Sequence, residues 1–367
     1  MQKMILAILT FIFCLLWADV KVEKVLETTS IKEYNQWVKR NKARYPGLKP
    51  YLVKAEGRKI YYYNEDGDAI KEEILKAKPG WDIWTLNFPY QGIVMVCESD
   101  LSLGEVSPAV HTIKDKKGNK LFSFTWGFDY PTKAGVMFLP DGIGIFRTRP
   151  YPQDARHCYG EMLTWDGKLI GRIENICTMS IGSKVTPDKK FMILYDGSVA
   201  VIVKNGQEVC RKKFVLNISD DGKFICFGDT LRTHTYYVAA LKDGKILFTF
   251  SFAPSTTGMI HCAFSSTNKY LAAFSPSELI LIDIEAGKQL WKQKVDGDAY
   301  KRKIFFANND KYIVLAYLGR VYIVDVDGNL LKTIKVPGSN NWEVHNNILI
   351  IDVRGDYDLH KLIYKLE

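Results

Sequence analysis

The densest set of chemically competent side chains is the run Arg147-Thr148-Arg149-Pro150-Tyr151-Pro152-Gln153-Asp154-Ala155-Arg156-His157. It places three guanidinium forks, an aromatic ring and a titratable imidazole within eleven residues. A planar fork with several N–H donors suits carboxylate or phosphate recognition. Arg232 and His234 fall on what reads as the equivalent connection two repeats further on, while Trp126, Phe128 and Tyr130 can supply an aromatic platform. The candidate ligand-binding residues are therefore Arg147, Arg149, Tyr151, Asp154, Arg156, His157, Arg232, His234, Trp126 and Tyr130. An alternative use of the same arginines is to brace their own loop against local acids such as Asp154.

Covalent and metal chemistry find less to work with. Histidines 111, 157, 234, 261, 345 and 360 form no His-x-x-x-His pair, and the cysteines form no Cys-x-x-Cys, which are the usual spacings of a metal site. His157 and Cys158 are adjacent, so in a strand they point to opposite faces and cannot form a dyad. Asn64-Glu65-Asp66-Gly67-Asp68 and Asp325-x-Asp327-Gly328 carry oxygen ligands of the calcium-binding type. Both coincide with tight turns, where Asp and Asn are favoured for backbone reasons. No catalytic residue, cofactor or metal is assigned, and the reading leans away from an enzyme.

The elements that must carry these residues are announced by glycine. Short turns at Asp66-Gly67, Lys117-Gly118, Asp166-Gly167, Asn205-Gly206, Asp243-Gly244, Ala286-Gly287 and Asp327-Gly328 each join two apolar strands, with successive glycines 38 to 51 residues apart. About forty residues is the length of one small antiparallel sheet, and a ring of such sheets is a β-propeller. The period is clearest from Met259 onward. Met259 to Phe264, Tyr270 to Phe274, Glu278 to Ile284 and Gln289 to Val295 read as four strands, and the pattern recurs from Lys303 to Val336. Blades are expected at about 81–126, 134–175, 177–214, 215–252, 258–295 and 300–336, with a hairpin left over at each end, Lys59 to Leu75 and Val344 to Leu366. The expectation is an all-β propeller of seven four-stranded blades, the seventh closed by pairing of N- and C-terminal strands. Eight blades result if each end builds its own.

The stretch Leu281-Ile282-Asp283-Ile284-Glu285-Ala286-Gly287-Lys288-Gln289-Leu290-Trp291 resembles the repeat signature of pyrroloquinoline-quinone-type propellers, with Asp, Gly-Lys and Trp at its offsets. Ala240 to Leu247 and Val324 to Leu331 keep the turn and lose the Trp. Ser219-Asp220-Asp221-Gly222-Lys223 is similar to turns of WD-repeat-like propellers, although the Gly-His and Trp-Asp pairs of true WD repeats are absent. The resemblance covers roughly residues 57 to 366. It implies the fold and leaves open quinone-dependent or hydrolytic enzymes, outer-membrane assembly scaffolds and ligand-binding modules, because a shared fold does not fix a function.

Before the repeats, Ser30-Ile31-Lys32-Glu33 has the form of a capping box, and Ile31, Tyr34, Trp37 and Val38 share one helical face. Residues 19–56 are read as a helical extension packing on a propeller of residues 57–367. Residues 1–18 read as a signal peptide: a basic start at Lys3, an apolar run from Ile5 to Trp17, and cleavage near Ala18. An uncleaved anchor and lipidation at Cys14 are the alternatives. No other segment is long enough to span a membrane, so the expected location is secreted or periplasmic. Six cysteines remain after Ala18, and Cys97, Cys226 and Cys262 sit inside apolar strand patterns, which favours buried thiols over bridges.

Net charge is +9. Arg211-Lys212-Lys213, Lys292-Gln293-Lys294 and Lys332-Thr333-Ile334-Lys335 each follow a repeat turn, where an outermost strand carries lysine to discourage edge pairing. A nucleic-acid surface would gather basic residues with stacking aromatics on one face, and the spacing does not do so. The functional expectation is an exported binding or scaffold module. Its long-loop face would engage a protein partner or an anionic or carbohydrate ligand, since sites concentrate on elaborated loops over a rigid frame. The alternatives are a quinone-type or hydrolytic enzyme over the central channel, or a structural subunit of an envelope or surface assembly.

Overall fold

In the computed structural model, residues 21–100, 109–126, 136–139, 144–151, 154–176, 186, 190–196, 199–228, 235–253, 260–295, 303–317, 319–336, 341–353 and 359–367 are described. For residues 126, 136–138, 148–151, 154–157 and 195–196 the description is of the backbone. The chain opens with strand β1 (Val22–Thr28) and helix α1 (Ile31–Asn41). Eight antiparallel sheets follow among the described residues.

Blade one is β2 (Val53–Glu56), β3 (Lys59–Tyr63) and β4 (Ala69–Ile74). Blade two is β5 (Trp81–Phe88), β6 (Ile93–Asp100), β7 (Ala109–Lys114) and β8 (Lys120–Trp126). Blade three is β9 (Val136–Phe138), β10 (Gly144–Tyr151), β11 (Asp154–Thr164) and β12 (Leu169–Ile173). Blade four is β13 (Phe191–Asp196), β14 (Val199–Lys204) and β15 (Gln207–Lys213). Blade five is β16 (Val215–Ile218), β17 (Phe224–Gly228), β18 (Thr235–Ala240) and β19 (Ile246–Ser251). Blade six is β20 (His261–Phe264), β21 (Tyr270–Phe274), β22 (Glu278–Asp283) and β23 (Lys288–Lys294). Blade seven is β24 (Lys303–Ala307), β25 (Tyr312–Tyr317), β26 (Arg320–Asp325) and β27 (Leu330–Lys335). Blade eight is β28 (Asn341–His345), β29 (Ile348–Asp352) and β30 (Lys361–Leu366), with β1 as its outer strand in the order β1-β30-β29-β28.

The expected count of seven is thus corrected to eight. The two terminal hairpins do not share a blade. The hairpin beginning at Lys59 gains β2 and stands as its own sheet, while the C-terminal hairpin gains β28 and takes β1, pairing Val22 with Leu366 and Thr28 with Lys361. The closing strand therefore lies upstream of the helix. The sheets of blades one and four show three strands among the described residues, where four were expected of every blade.

Glycines 67, 118, 167, 206, 244, 287 and 328 all adopt positive φ, from 59° to 95°, the region that side chains other than glycine enter at a cost. Each turn follows a register shift in the pair it closes, and the pair of β1 with β30 is bulged as well, so all eight outer strands carry a bulge. A bulge twists an edge out of register for pairing with another chain.

Middle strands bury both faces, as in Leu279 to Ile282, because a blade is covered on each side by a neighbour. Seven apolar clusters fill the spaces between successive blades. The space beside blade eight is filled differently. Leu349, Ile351 and Leu362 face blade seven, whereas Ile348, Ile350 and Ile363 on the opposite face pack on Tyr34, Trp37 and Val38 of α1 and on Tyr45, Leu48 and Tyr51 after it.

The helix is fastened to blade one by polar contacts. Asn35, fully buried, donates from Nδ2 to Tyr51 O (2.9 Å) and Asn64 O (3.2 Å), and its Oδ1 accepts from Tyr51 N (2.7 Å). Lys32 and Lys39 pair with Asp68 and Asp66 of the β3–β4 turn at 2.7 and 2.5 Å. Ser30 Oγ caps the helix by accepting from Glu33 N (3.3 Å). Helix α1 therefore closes the ring as a wedge between blade eight and blade one.

Candidate functional site

The arginine-rich segment is strand where a loop was expected. β10 and β11 pair continuously from Gly144 with Thr164 to Pro150 with Cys158, and after a bulge Tyr151 pairs with Asp154. The middle strands of blades five, six and seven run to five or six residues, whereas β10 has eight and β11 eleven. The third blade's central hairpin thus projects beyond those of blades five, six and seven on the face opposite the glycine turns, and β6 of blade two, also eight residues, is equally long. Pro150 is accommodated beside the bulge, where a missing N–H donor is tolerated.

Arg147 sits at the base of this hairpin, and its Nε donates to Glu161 Oε2 at 2.7 Å from the residue directly across the ladder. Both side chains are less than a fifth exposed, so this arginine braces the hairpin. Arg149 and Tyr151 occupy alternate positions of β10 above it, and Asp154, Arg156 and His157 lie on the returning β11. Trp126 ends β8. Tyr130, Arg232 and His234 lie outside the described residues, as does Phe128. One feature of the hairpin escaped the sequence reading: the Arg172 guanidinium of β12 lies 3.7 Å from the centre of the Tyr159 ring, a cation–π stack that ties the outer strand to the hairpin. Arg172 and Tyr159 are thirteen positions apart in the chain, and only the β11–β12 pairing brings them together.

The first strands of successive blades line the channel, β16 beside β20, β20 beside β24 and β24 beside β28. Between them lies a cavity of roughly 530 Å³, walled in part by Asn217, Asp220, His261, Lys303, Phe305 and Phe306. Lys303 Nζ donates to Asn341 Oδ1 at 2.6 Å. Lys303 is an exposed residue, and partial desolvation by the channel wall pulls its pKa below the ordinary lysine value, against the opposing influence of Glu343 and Asp352. Both of those carboxylates are engaged elsewhere. Glu343 Oε2 lies 3.2 Å from His345 Nε2, and Asp352 is ion-paired with Lys361. Burial acts to raise the Glu343 pKa, but the His345 hydrogen bond and the Lys361 and Lys303 charges outweigh it and hold the carboxyl below its ordinary value. The sequence signal for Lys303 was a lysine at the start of the otherwise apolar run Ile304-Phe305-Phe306.

A thiol–imidazole pair also appears that no spacing announced. Cys97 of β6 and His111 of β7 are cross-strand partners, with Sγ 3.1 Å from Nδ1. His111 stacks on Phe124 at 5.1 Å and meets the edge of Trp84 at 6.1 Å. Burial pushes the thiol up to about 12 and the imidazole down to about 4. Both groups are thus neutral near pH 7, the reverse of the thiolate–imidazolium state that makes a cysteine nucleophilic. The pair belongs to the core. The Asp-Gly turns likewise use their oxygens locally: Asp325 Oδ1 accepts from Asp327 N and Asn329 N, and Asn64 Oδ1 accepts from Asp66 N and Asp68 N.

These features define an eight-bladed β-propeller with a cavity of mixed polar and apolar lining at its channel and an extended central hairpin in blade three. No protein-family model matches the sequence, and no curated protein does. Among solved structures, BamB from Moraxella catarrhalis is similar at 10% identity and a TM-score of 0.46, over 94% of this chain and 100% of that one. Raptor from Chaetomium thermophilum gives 14% and 0.43, over 76% of this chain and 27% of that one. KlHsv2 with loop 6CD replaced by a Gly-Ser linker gives 12% and 0.44, over 71% and 85%. Likeness at this level carries no functional inference.

Proposed function

We propose that this chain is an exported binding or scaffold propeller that engages a ligand or protein partner through its long-loop face, with the β10–β11 hairpin as the principal contact. The projection of that hairpin beyond the frame carries the reading. Its outer part holds Arg149, Tyr151 and Asp154 at paired positions of the two strands, with Arg156 and His157 in the bulge of β11 between them, and strands hold such groups more rigidly than a loop does. Arg147 is excluded from the contact set because Glu161 holds it. Two forks on a projecting hairpin suit an anionic partner, such as a sulfated or carboxylated saccharide or an acidic protein surface. Export rests on the apolar run from Ile5 to Trp17. Among the described residues no helix is long and apolar enough to cross a membrane.

The test is calorimetric titration with a heparin oligosaccharide as the anionic probe. Arg149→Ala with Arg156→Ala is expected to weaken binding by roughly tenfold or more. Arg211→Ala with Lys212→Ala, on the outer strand β15, is expected to leave binding nearly unchanged. Equal affinity of wild type and the hairpin variant removes the hairpin as the site. Sequencing the N-terminus of the protein recovered outside the cytoplasm tests export, with a new terminus expected near Asp19.

A further inference from the structure

Blades five and six meet across a seam that carries a cysteine from each side. Cys226 of β17 and Cys262 of β20 are 0% and 6% exposed and belong to the same apolar cluster. Their side chains point towards one another. Asn217 of β16 donates from Nδ2 to the carbonyl oxygen of Cys262 at 2.6 Å, so its side chain reaches towards blade six. Cys226 is the residue directly across the ladder from Asn217, and cross-strand partners project from the same face of a sheet. On the other side, Ile260, Cys262 and Phe264 pack into the seam with blade five, while Ala263 joins the cluster shared with blade seven, as the alternation of a strand requires. The two thiols also act on each other: burial first, and then the Cys262 thiol, push the Cys226 thiol well above its ordinary pKa.

Among the described residues no other two cysteines share a seam. Cys97 lies in the cluster between blades two and three, and Cys210 packs on the one between blades four and five. Side chains that face one another are the first requirement of a disulfide. The apolar seam suits that product, because a disulfide buries no charge, whereas a metal held by two thiolates would bury one. We propose that Cys226 and Cys262 form a disulfide that staples blade five to blade six. The reaction is thiol–disulfide exchange, with a low-molecular-weight or protein disulfide as the oxidant. One cysteine thiolate attacks the donor's S–S bond and releases one donor sulfur, and the second cysteine then displaces the other. One S–S bond breaks and one forms, and two electrons and two protons pass to the donor. Thiolate is scarce once the seam has closed, so exchange takes place as the chain folds. Formation of the bridge in the cell rests on the export read above, since disulfides persist in oxidising compartments. The pairing of these two cysteines does not.

The test is refolding of the full chain from urea in a buffer of glutathione and glutathione disulfide, followed by circular dichroism, after which free thiols are blocked with N-ethylmaleimide in fresh urea. Five of the seven cysteines are expected to be labelled, the seven less the bridged two. Trypsin without reductant is expected to release residues 224–232 joined to residues 246–269, each peptide holding a single cysteine. The urea midpoint of the oxidised chain is expected to exceed that of the same chain after reduction by roughly 0.5 M or more. In Cys226→Ala and, separately, in Cys262→Ala, the oxidised and reduced midpoints are expected to coincide. Three results overturn the proposal: all seven cysteines labelled in the refolded chain, either cysteine joined to a different partner, or a redox-dependent midpoint that survives in both variants. Export is read separately from the N-terminus, and an unprocessed Met1 in the cell would remove that reading while the joined peptides still established the pairing.

Discussion

Lys361 shows how a residue's setting decides its role. It is 1% exposed, ion-paired with Asp352, and lies 4.8 Å from the centre of the Tyr90 ring and 5.7 Å from that of Tyr34. A charge so buried is tolerated only when paired and surrounded by favourable dipoles or ring faces. Lys303, exposed on the channel wall, instead donates to the neutral amide oxygen of Asn341. His111 illustrates the opposite case, a titratable group kept neutral. Its folded pKa is about 4 against an ordinary 6.5, so between those values the unfolded chain binds a proton that the folded chain refuses. Stability therefore falls as pH is lowered across this window. His111→Phe is expected to flatten that part of the acid limb when urea midpoints are compared from about pH 7 to about pH 4.5. An unchanged slope would show that His111 does not carry it.

At the scale of elements, α1 does the work of an inter-blade core. Its apolar face covers Ile348, Ile350 and Ile363 of blade eight, while Asn35 and two lysines hold blade one. Asn35→Ala is expected to destabilise by about 3 kcal/mol, because it removes the three hydrogen bonds by which this buried side chain ties α1 to the backbone of Tyr51 and Asn64. Hydrogen exchange over residues 31–41 should rise together with the loss in denaturant midpoint. A loss under about 1 kcal/mol would mean that the apolar face alone seats the helix. Blades three and four meet more closely still: a Cβ built on Gly171 would lie 1.9 Å from the carbonyl oxygen of Gly206. The β12 strand and the turn of the next blade can approach this far only because both positions are glycine.

The whole molecule depends on closure. β1 supplies the outer strand of blade eight, and Lys21 and Glu367 exchange backbone hydrogen bonds at 3.1 and 3.0 Å beyond it. Removing residues 21–28 exposes the edge of β30 and unseats α1 at its N-terminus. The expected outcome is a lower, broader unfolding transition with self-association visible by light scattering, since an unpaired edge recruits other chains. A monomeric variant with unaltered cooperativity would show that the helix wedge alone closes the ring.

Much of this frame was legible in the chain. Turn glycines at positive φ, alternating strands and the apolar middle strands are local consequences of backbone sterics and a period of two, so the repeat and the all-β class could be read directly. The blade count could not, because β1 and β2 are short strands whose partners are chosen by which edges remain open once the ring forms. The same limit applies to the sites. Arg147 was legible as a cation and its pairing with Glu161 was not. Lys303 looked like one lysine among many until β24 and β28 brought its ammonium to the Asn341 amide oxygen on the channel wall. Residue type and spacing determined the repeating sheet and the supply of charged groups. Which charges are paired, which are left facing a cavity, and how many blades close the circle were decided only by tertiary contacts between residues far apart in sequence, because electrostatic and edge-pairing energies depend on distances that the order of the chain does not contain.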